Sequence, residues 1–138
     1  MPNGIDIKLP GKRISYQIVI VGLGANGSHF FRGLCQDVST YFKSHWNKPF
    51  GLDVMIADGD RVEKKNLDNQ LYTEEDIGEY KVVSLAQRYG DHYDIPIKRV
   101  TSYIKDMDML KKMFSTLSIN PEDQVVPVLI GMIDNVRP

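Results

Sequence analysis

The stretch "IVIVGLGANGSHF", residues 18–30, decides the fold. Its first four residues are β-branched and apolar and read as a short buried strand closed by Gly22. From Asn26 the period changes. Phe30, Phe31, Leu34, Cys35 and Val38 recur at three- and four-residue spacing, which predicts a helix to about Thr40 with one apolar face. Between strand and helix lies Gly22-x-Gly24-x-x-Gly27. The first glycine allows the tight turn, the second lets a phosphate approach the backbone, and the third lets helix and strand pack closely. Unpaired N–H groups and the positive helix end then face an anion. Gly22, Gly24, Ala25, Asn26 and Gly27 are therefore read as nucleotide-binding, against a merely tight turn. The loop alone does not separate a dinucleotide from ATP.

Working outward, residues 1–14 carry Pro2, Gly4, Pro10 and Gly11 and read as an irregular lead-in to a nucleotide-binding domain over 15–138. The pattern predicts strands at 15–21, 52–58, 95–104 and 125–134, with helices at 79–89 and 106–117. Gly90 reads as a helix stop. Pro96 suits a strand start or an edge, and Pro127 suits the beginning of the last strand. Residues 59–76 show no clean period and read as a long ordered loop, and 41–51 as an aromatic and polar connection. The alternation implies a Rossmann-like α/β fold, a parallel sheet with helices on both faces. Right-handed crossovers place the segments after the strands on one edge, where ligands bind. Gly22–Gly27, Asp58–Asn69 and Met132–Asn135 are expected there.

The 138 residues suffice for one domain with a core. A net charge of −1 points away from a nucleic-acid surface. No apolar run reaches the roughly 18 residues of a membrane span, and no signal-peptide pattern stands at the start. A cytoplasmic location is the default. Cys35 is the only cysteine, so an intrachain disulfide is excluded. Its position with Phe31, Leu34 and Val38 reads as core.

The residues after the second strand separate the ligands. A dinucleotide site wants an acid at that strand end to hold the ribose hydroxyls. Asp58 serves, once the long first helix and its connection are allowed for. The chain from there on, however, runs Asp58-Gly59-Asp60-Arg61-Val62-Glu63, Asn66-Leu67, Gln70, Asp76-Ile77-Gly78, Lys81 and finally Asp134-Asn135. That ordered set resembles the ThiF/MoeB/HesA adenylyltransferases, bacterial relatives of ubiquitin-activating enzymes, over roughly residues 15–138. The long first helix and connection resemble ThiF-like members carried on mobile elements.

The resemblance implies ATP with Mg2+ as cofactors. It also implies attack of a carboxylate on the α-phosphorus to give an acyl-adenylate and pyrophosphate. The acceptor it implies is the C-terminus of a ubiquitin-like or sulfur-carrier protein, and the assembly a homodimer. Lys81, Asn66 and Gln70 take the catalytic roles. Lys81 would neutralise phosphate charge, Asn66 would donate an amide hydrogen to a phosphate oxygen, and Gln70 would contact phosphate or backbone. Asp58 would accept from the ribose hydroxyls. Asp134 would hold Mg2+, a hard cation suited to carboxylate and phosphate oxygens. Asp60 and Asn69 complete the nucleotide-binding set. Each has a plainer reading: a solvated strand-end acid for Asp58, a turn residue for Asn66, loop packing for Gln70, a surface cation for Lys81, a helix cap for Asp134, and a loop-structural role for Asp60.

Two departures stand out. The family carries arginine where this chain has Asn69, and a neutral amide lacks arginine's charged fork. Arg61, Lys64, Lys65, or Lys12 and Arg13 of a second copy, are candidates to compensate. The chain also ends before the family's second sheet half, thiol and zinc site, so the fold is expected to be incomplete relative to the family. A non-catalytic nucleotide-binding scaffold and an NAD- or FAD-binding oxidoreductase domain are the alternative readings. The second gives no reason for Asn66, Gln70, Lys81 and Asp134.

Overall fold

A computed structural model describes residues 13–44, 50–117 and 120–133. Four parallel strands, β1 (Ile14–Val21), β2 (Gly51–Ala57), β3 (Ile97–Val100) and β4 (Gln124–Gly131), form a sheet in the order β3-β2-β1-β4. Helix α1 (Ala25–Ser44) joins β1 to β2. A short α2 (Lys81–Leu85), continued as a wider π-type turn over Ala86–Asp91, leads to β3, and α3 (Met107–Ser115) leads to β4.

The strand order explains the two-faced packing. The chain steps from β1 to β2 to β3 in one direction, then returns past them to β4. With right-handed crossovers the return helix must lie on the opposite face. Ile18, Ile20, Val54 and Ile56 pack with Phe31, Cys35, Val82 and Leu85 from α1 and α2. The alternate residues Val19, Val21, Met55 and Ala57 pack with Met113 and Leu117, from α3 and just beyond it. The predicted Rossmann-like α/β architecture is the one observed. Cys35 is buried, and burial pushes its thiol up to about 12, as a core residue should be.

Several boundaries differ from expectation. β1 begins at Ile14, inside the predicted lead-in. α1 runs on to Ser44, because Tyr41 and Phe42 pack their rings on Phe50, with centroids 5.3 and 5.0 Å apart. Phe30 is exposed, while Phe31 takes the buried position. β3 keeps only four residues, because the chain beyond Val100 leaves the sheet. Gly90 does not stop a helix. It lies within the π-type turn, where an added Cβ would come 2.8 Å from Ile97 Cγ1. Pro127 sits inside β4, opposite Gln17, rather than at its beginning. Among the described residues β4 pairs with β1 alone. The rest of the lead-in and of the 41–51 connection, with Lys12, Asp134 and Asn135, falls outside the described residues.

The long loop after β2 is ordered by its own contacts. It forms two 3-10 turns, Lys64–Leu67 and Glu74–Asp76. Arg88 ties the second turn down, donating to Leu71 O at 3.0 Å and to Asp76 Oδ2 at 2.6 Å. Burial pushes the Asp76 carboxyl up, but the Thr73 N–H and the Arg88 guanidinium outweigh it and hold it below the usual range. A carboxylate lowered in the folded state contributes stability above its unfolded value, 3.8, and loses it as pH falls through the folded value. Arg88→Met should therefore cost about 2 kcal/mol at neutral pH. The gap from wild type should narrow in acid below that range, read by urea unfolding at both pH values. A gap independent of pH counts against the ion pair.

Candidate functional site

The carboxyl ends of the strands open onto a cleft of about 1130 Å³. It lies where the strand order reverses, between β1 and β4, the point at which open α/β sheets take ligands. The glycine loop forms one wall. Gly22 has a φ of +94°, and a Cβ on it would come within 2.7 Å of the Met132 carbonyl oxygen. A Cβ on Gly27 would come within 1.9 Å of Gly22 O. The loop is thus folded tightly on itself and against the exit of β4. No acidic residue stands in the first turn of α1, so nothing there offsets the positive helix end.

Asp58 braces this loop. Its Oδ2 accepts from Leu23 N at 2.7 Å and its Oδ1 from Asp60 N at 2.8 Å. Burial pushes its carboxyl above the ordinary range, against the opposing pull of these two N–H groups and of Lys81. Each carboxylate oxygen retains a lone pair, so the bracing leaves acceptor capacity for a ligand. From below, Tyr72 donates its phenol hydrogen to Leu23 O at 2.7 Å and is itself buried.

Lys81 opens α2 and is only 5% exposed. Its ammonium pairs with Asp60 at 3.8 Å and lies 5.9 Å from the Tyr72 ring centroid. A cation so enclosed, with Asp60 at long range and Asp58 nearby, is suited to a further anion. Asn66, also buried, accepts from Glu63 N through Oδ1 at 2.7 Å. This turn contact and the expected donor role are compatible, because the bond uses the oxygen and leaves the amide nitrogen as the other pole. Gln70 Oε1 is buried without a hydrogen-bond partner among the described residues. A half-turn of the amide exchanges its ends, so the position offers either an acceptor or a donor. Asn69 lines the cleft with Gln70, exposed and uncharged.

Gly22, Gly24, Asp58, Asp60, Asn66, Asn69, Gln70 and Lys81 all line this cleft. Ala25, Asn26 and Gly27 are not among the lining residues: Ala25 and Asn26 open α1, and Gly27 packs against Gly22 and Met132. Asp134 lies outside the described residues, as does Asn135. A further wall went unread in the sequence. Beyond β3, Ser102, Tyr103 and Ile104 turn over the cleft, and Tyr103 donates its phenol hydrogen to Asp60. That bond pushes the Tyr103 phenol up to about 12. Tyr72 sits in the aperiodic loop, Tyr80 at the start of the predicted helix 79–89 and Tyr103 at the end of the predicted strand 95–104, and nothing in period or spacing brings the three together.

A family model described as the ThiF family matches residues 11–136. The chain belongs to the ThiF family. Solved structures agree on the fold of this ThiF-family chain. Escherichia coli TcdA, a tRNA N6-threonylcarbamoyladenosine dehydratase solved with AMP, superposes with a TM-score of 0.61 at 20% identity, covering 88% of this chain and 42% of TcdA. E. coli MccB solved with ATP gives a TM-score of 0.53 at 22% identity, covering 70% of this chain and 25% of MccB. The microcin C7 biosynthetic enzyme MccB with N-formylated MccA gives 0.52 at 23% identity, with the same coverage of 70% and 25%. The chain thus spans less than half the length of these neighbours. No curated protein matches it.

Proposed function

We propose that the chain binds ATP in this cleft, and that the whole protein uses it to activate a carboxylate as an acyl-adenylate. The observation that carries the reading is the buried Lys81 ammonium facing the cleft that the glycine loop walls. Family membership and neighbours solved with ATP or AMP support it. In the proposed pose the ribose hydroxyls donate to Asp58, and the phosphates lie along the loop and the start of α1. The Asn66 amide and the Lys81 ammonium meet the charge that builds on the phosphate oxygens.

The carboxylate oxygen attacks the α-phosphorus, the bond from that phosphorus to the bridging oxygen breaks, and pyrophosphate leaves with the electron pair. Mg2+ supplies charge neutralisation when bound. Its assignment to Asp134 rests on the family resemblance. A ubiquitin-like or sulfur-carrier C-terminus as acceptor rests there too, and MccB solved with AMPCPP and MccA together supports a second partner meeting the nucleotide. A homodimer as the assembly rests on the family resemblance as well.

The test is Mg2+-dependent ATP binding, together with carboxylate-dependent pyrophosphate exchange, on the full-length protein. Its mass in solution, read on the same sample, tests the dimer. Asp58→Ala should raise the Kd for ATP at least tenfold, since it removes the ribose acceptor and the brace on Leu23. Wild type that binds no ATP, or Asp58→Ala that binds as wild type, would overturn the reading. Asn69, neutral at the cleft, favours one alternative, a nucleotide-binding scaffold without turnover. Binding without exchange identifies it.

A further inference from the structure

Arg61 stands in a short antiparallel bridge with Tyr80, where the loop after β2 meets the segment leading into α2. The bridge is framed by Val62 N–H to Glu79 O at 2.8 Å and Lys81 N–H to Asp60 O at 3.0 Å. Its backbone is therefore fixed to the same segment that positions Lys81.

The side chain is pinned as well. Nη1 donates to Gly78 O at 2.8 Å, and Cζ lies 4.0 Å from the Tyr80 ring centroid. A guanidinium held flat on an aromatic ring has already lost most of its freedom, so binding a further partner costs it little. Only one of its five N–H donors is accounted for by Gly78.

The neighbouring carboxylates are engaged elsewhere. Asp60 takes Lys81 and Tyr103, and Glu63 pairs with Lys65 at 3.2 Å. Among the described residues no carboxylate forms an ion pair with Arg61. Arg61 thus lines the cleft with Tyr80 and the buried Lys81, its guanidinium oriented on the Tyr80 ring and without an ion pair among the described residues. Arg61 is exposed where Lys81 is enclosed. The two side chains offer cations of different depth in one cleft.

We propose that Arg61 clamps the outer phosphates of the bound nucleotide and makes the cleft selective for the triphosphate over the monophosphate. The inference rests on the proposed nucleotide site and deepens it. It also gives the neutral Asn69 a counterpart, because the rim cation comes from the other side of the acidic motif. A planar fork matches two phosphate oxygens at once, a geometry an ammonium cannot reproduce.

The experiment is a comparison of ATP and AMP affinities by calorimetry on the full-length protein, for wild type, Arg61→Ala and Arg61→Lys. Arg61→Ala should weaken ATP about 20-fold and AMP by less than about twofold. Arg61→Lys retains the charge without the fork and should fall between wild type and Arg61→Ala for ATP. Equal losses for ATP and AMP in both variants would assign Arg61 a structural role and overturn the proposal. So would unchanged ATP affinity in Arg61→Ala, and that result leaves the nucleotide site standing. Wild type that binds neither nucleotide overturns the site and the clamp together.

Discussion

Gly27→Ala will lower the melting temperature by about 10 °C or more and remove ATP binding. The added methyl has no room. Its carbon would lie 1.9 Å from Gly22 O, 2.9 Å from Gly22 C and 3.2 Å from the Met132 Cβ. Two of these atoms are backbone and cannot swing away. Relief requires α1 to shift from the loop, or Gly22 to leave its left-handed conformation at φ +94°. Overpacking costs about 1–3 kcal/mol where side chains can move, and a backbone collision belongs at or above the upper end. About 3 kcal/mol in a domain of this size corresponds to roughly 10 °C. Either movement also turns the N–H groups of the loop away from the cleft. A thermal melt and an ATP titration on the same sample read both effects. A melting temperature within about two degrees of wild type, with ATP affinity intact, would show that helix and loop are not locked together.

Lys81→Met should leave the fold standing and raise the Kd for ATP about 100-fold, equivalent to about 2.8 kcal/mol. Methionine is close to lysine in length and suits the buried position beside Val82 and Leu85. The substitution removes the ammonium from the cleft and frees Asp60, which still accepts from Tyr103. Loss of one charged contact to phosphate costs about 1.5–3 kcal/mol, and more where water is excluded. Asp58 loses a favourable neighbour as well, because Lys81 pulls its carboxyl down. Without that cation the carboxyl rises further, so ATP binding by the variant should weaken at a higher pH than in wild type as the solution is acidified. Titrations across pH 5–8 check this. Unchanged ATP affinity at neutral pH would make Lys81 a structural residue of α2 and nothing more.

The parts of the site legible in the sequence are those built by local chemistry. A β-branched run, a glycine spacing and a change of period from strand to helix are properties of neighbouring residues. They placed the glycine loop between β1 and α1 and Asp58 just after β2, while the helix expected over 79–89 begins at Lys81 and keeps α-helical form only to Leu85. Asn66 and Gln70 were legible only through the family resemblance, since residues 59–76 carry no period; the structure links them by Gln70 N–H to Asn66 O at 3.1 Å. Less legible were elements whose limits depend on partners far along the chain. β3 shortens because its exit turns over the cleft to reach Asp60. α1 lengthens because Phe50 gives Tyr41 and Phe42 something to pack on.

The sequence by itself determined a parallel α/β domain with a phosphate-sized glycine loop and an acidic second strand end, because period and spacing are written in adjacent residues, and its ordered motif set carried the resemblance to the ThiF family. Only the tertiary structure decided that Lys81 is enclosed, that Tyr72 supports Leu23 from beneath, and that Arg61 lies stacked on Tyr80. Each of these depends on segments remote in sequence meeting at one sheet edge, where burial and desolvation are set by which strands lie side by side. A lysine is charged wherever it stands in a sequence. The fold decides whether that charge faces water or a cleft.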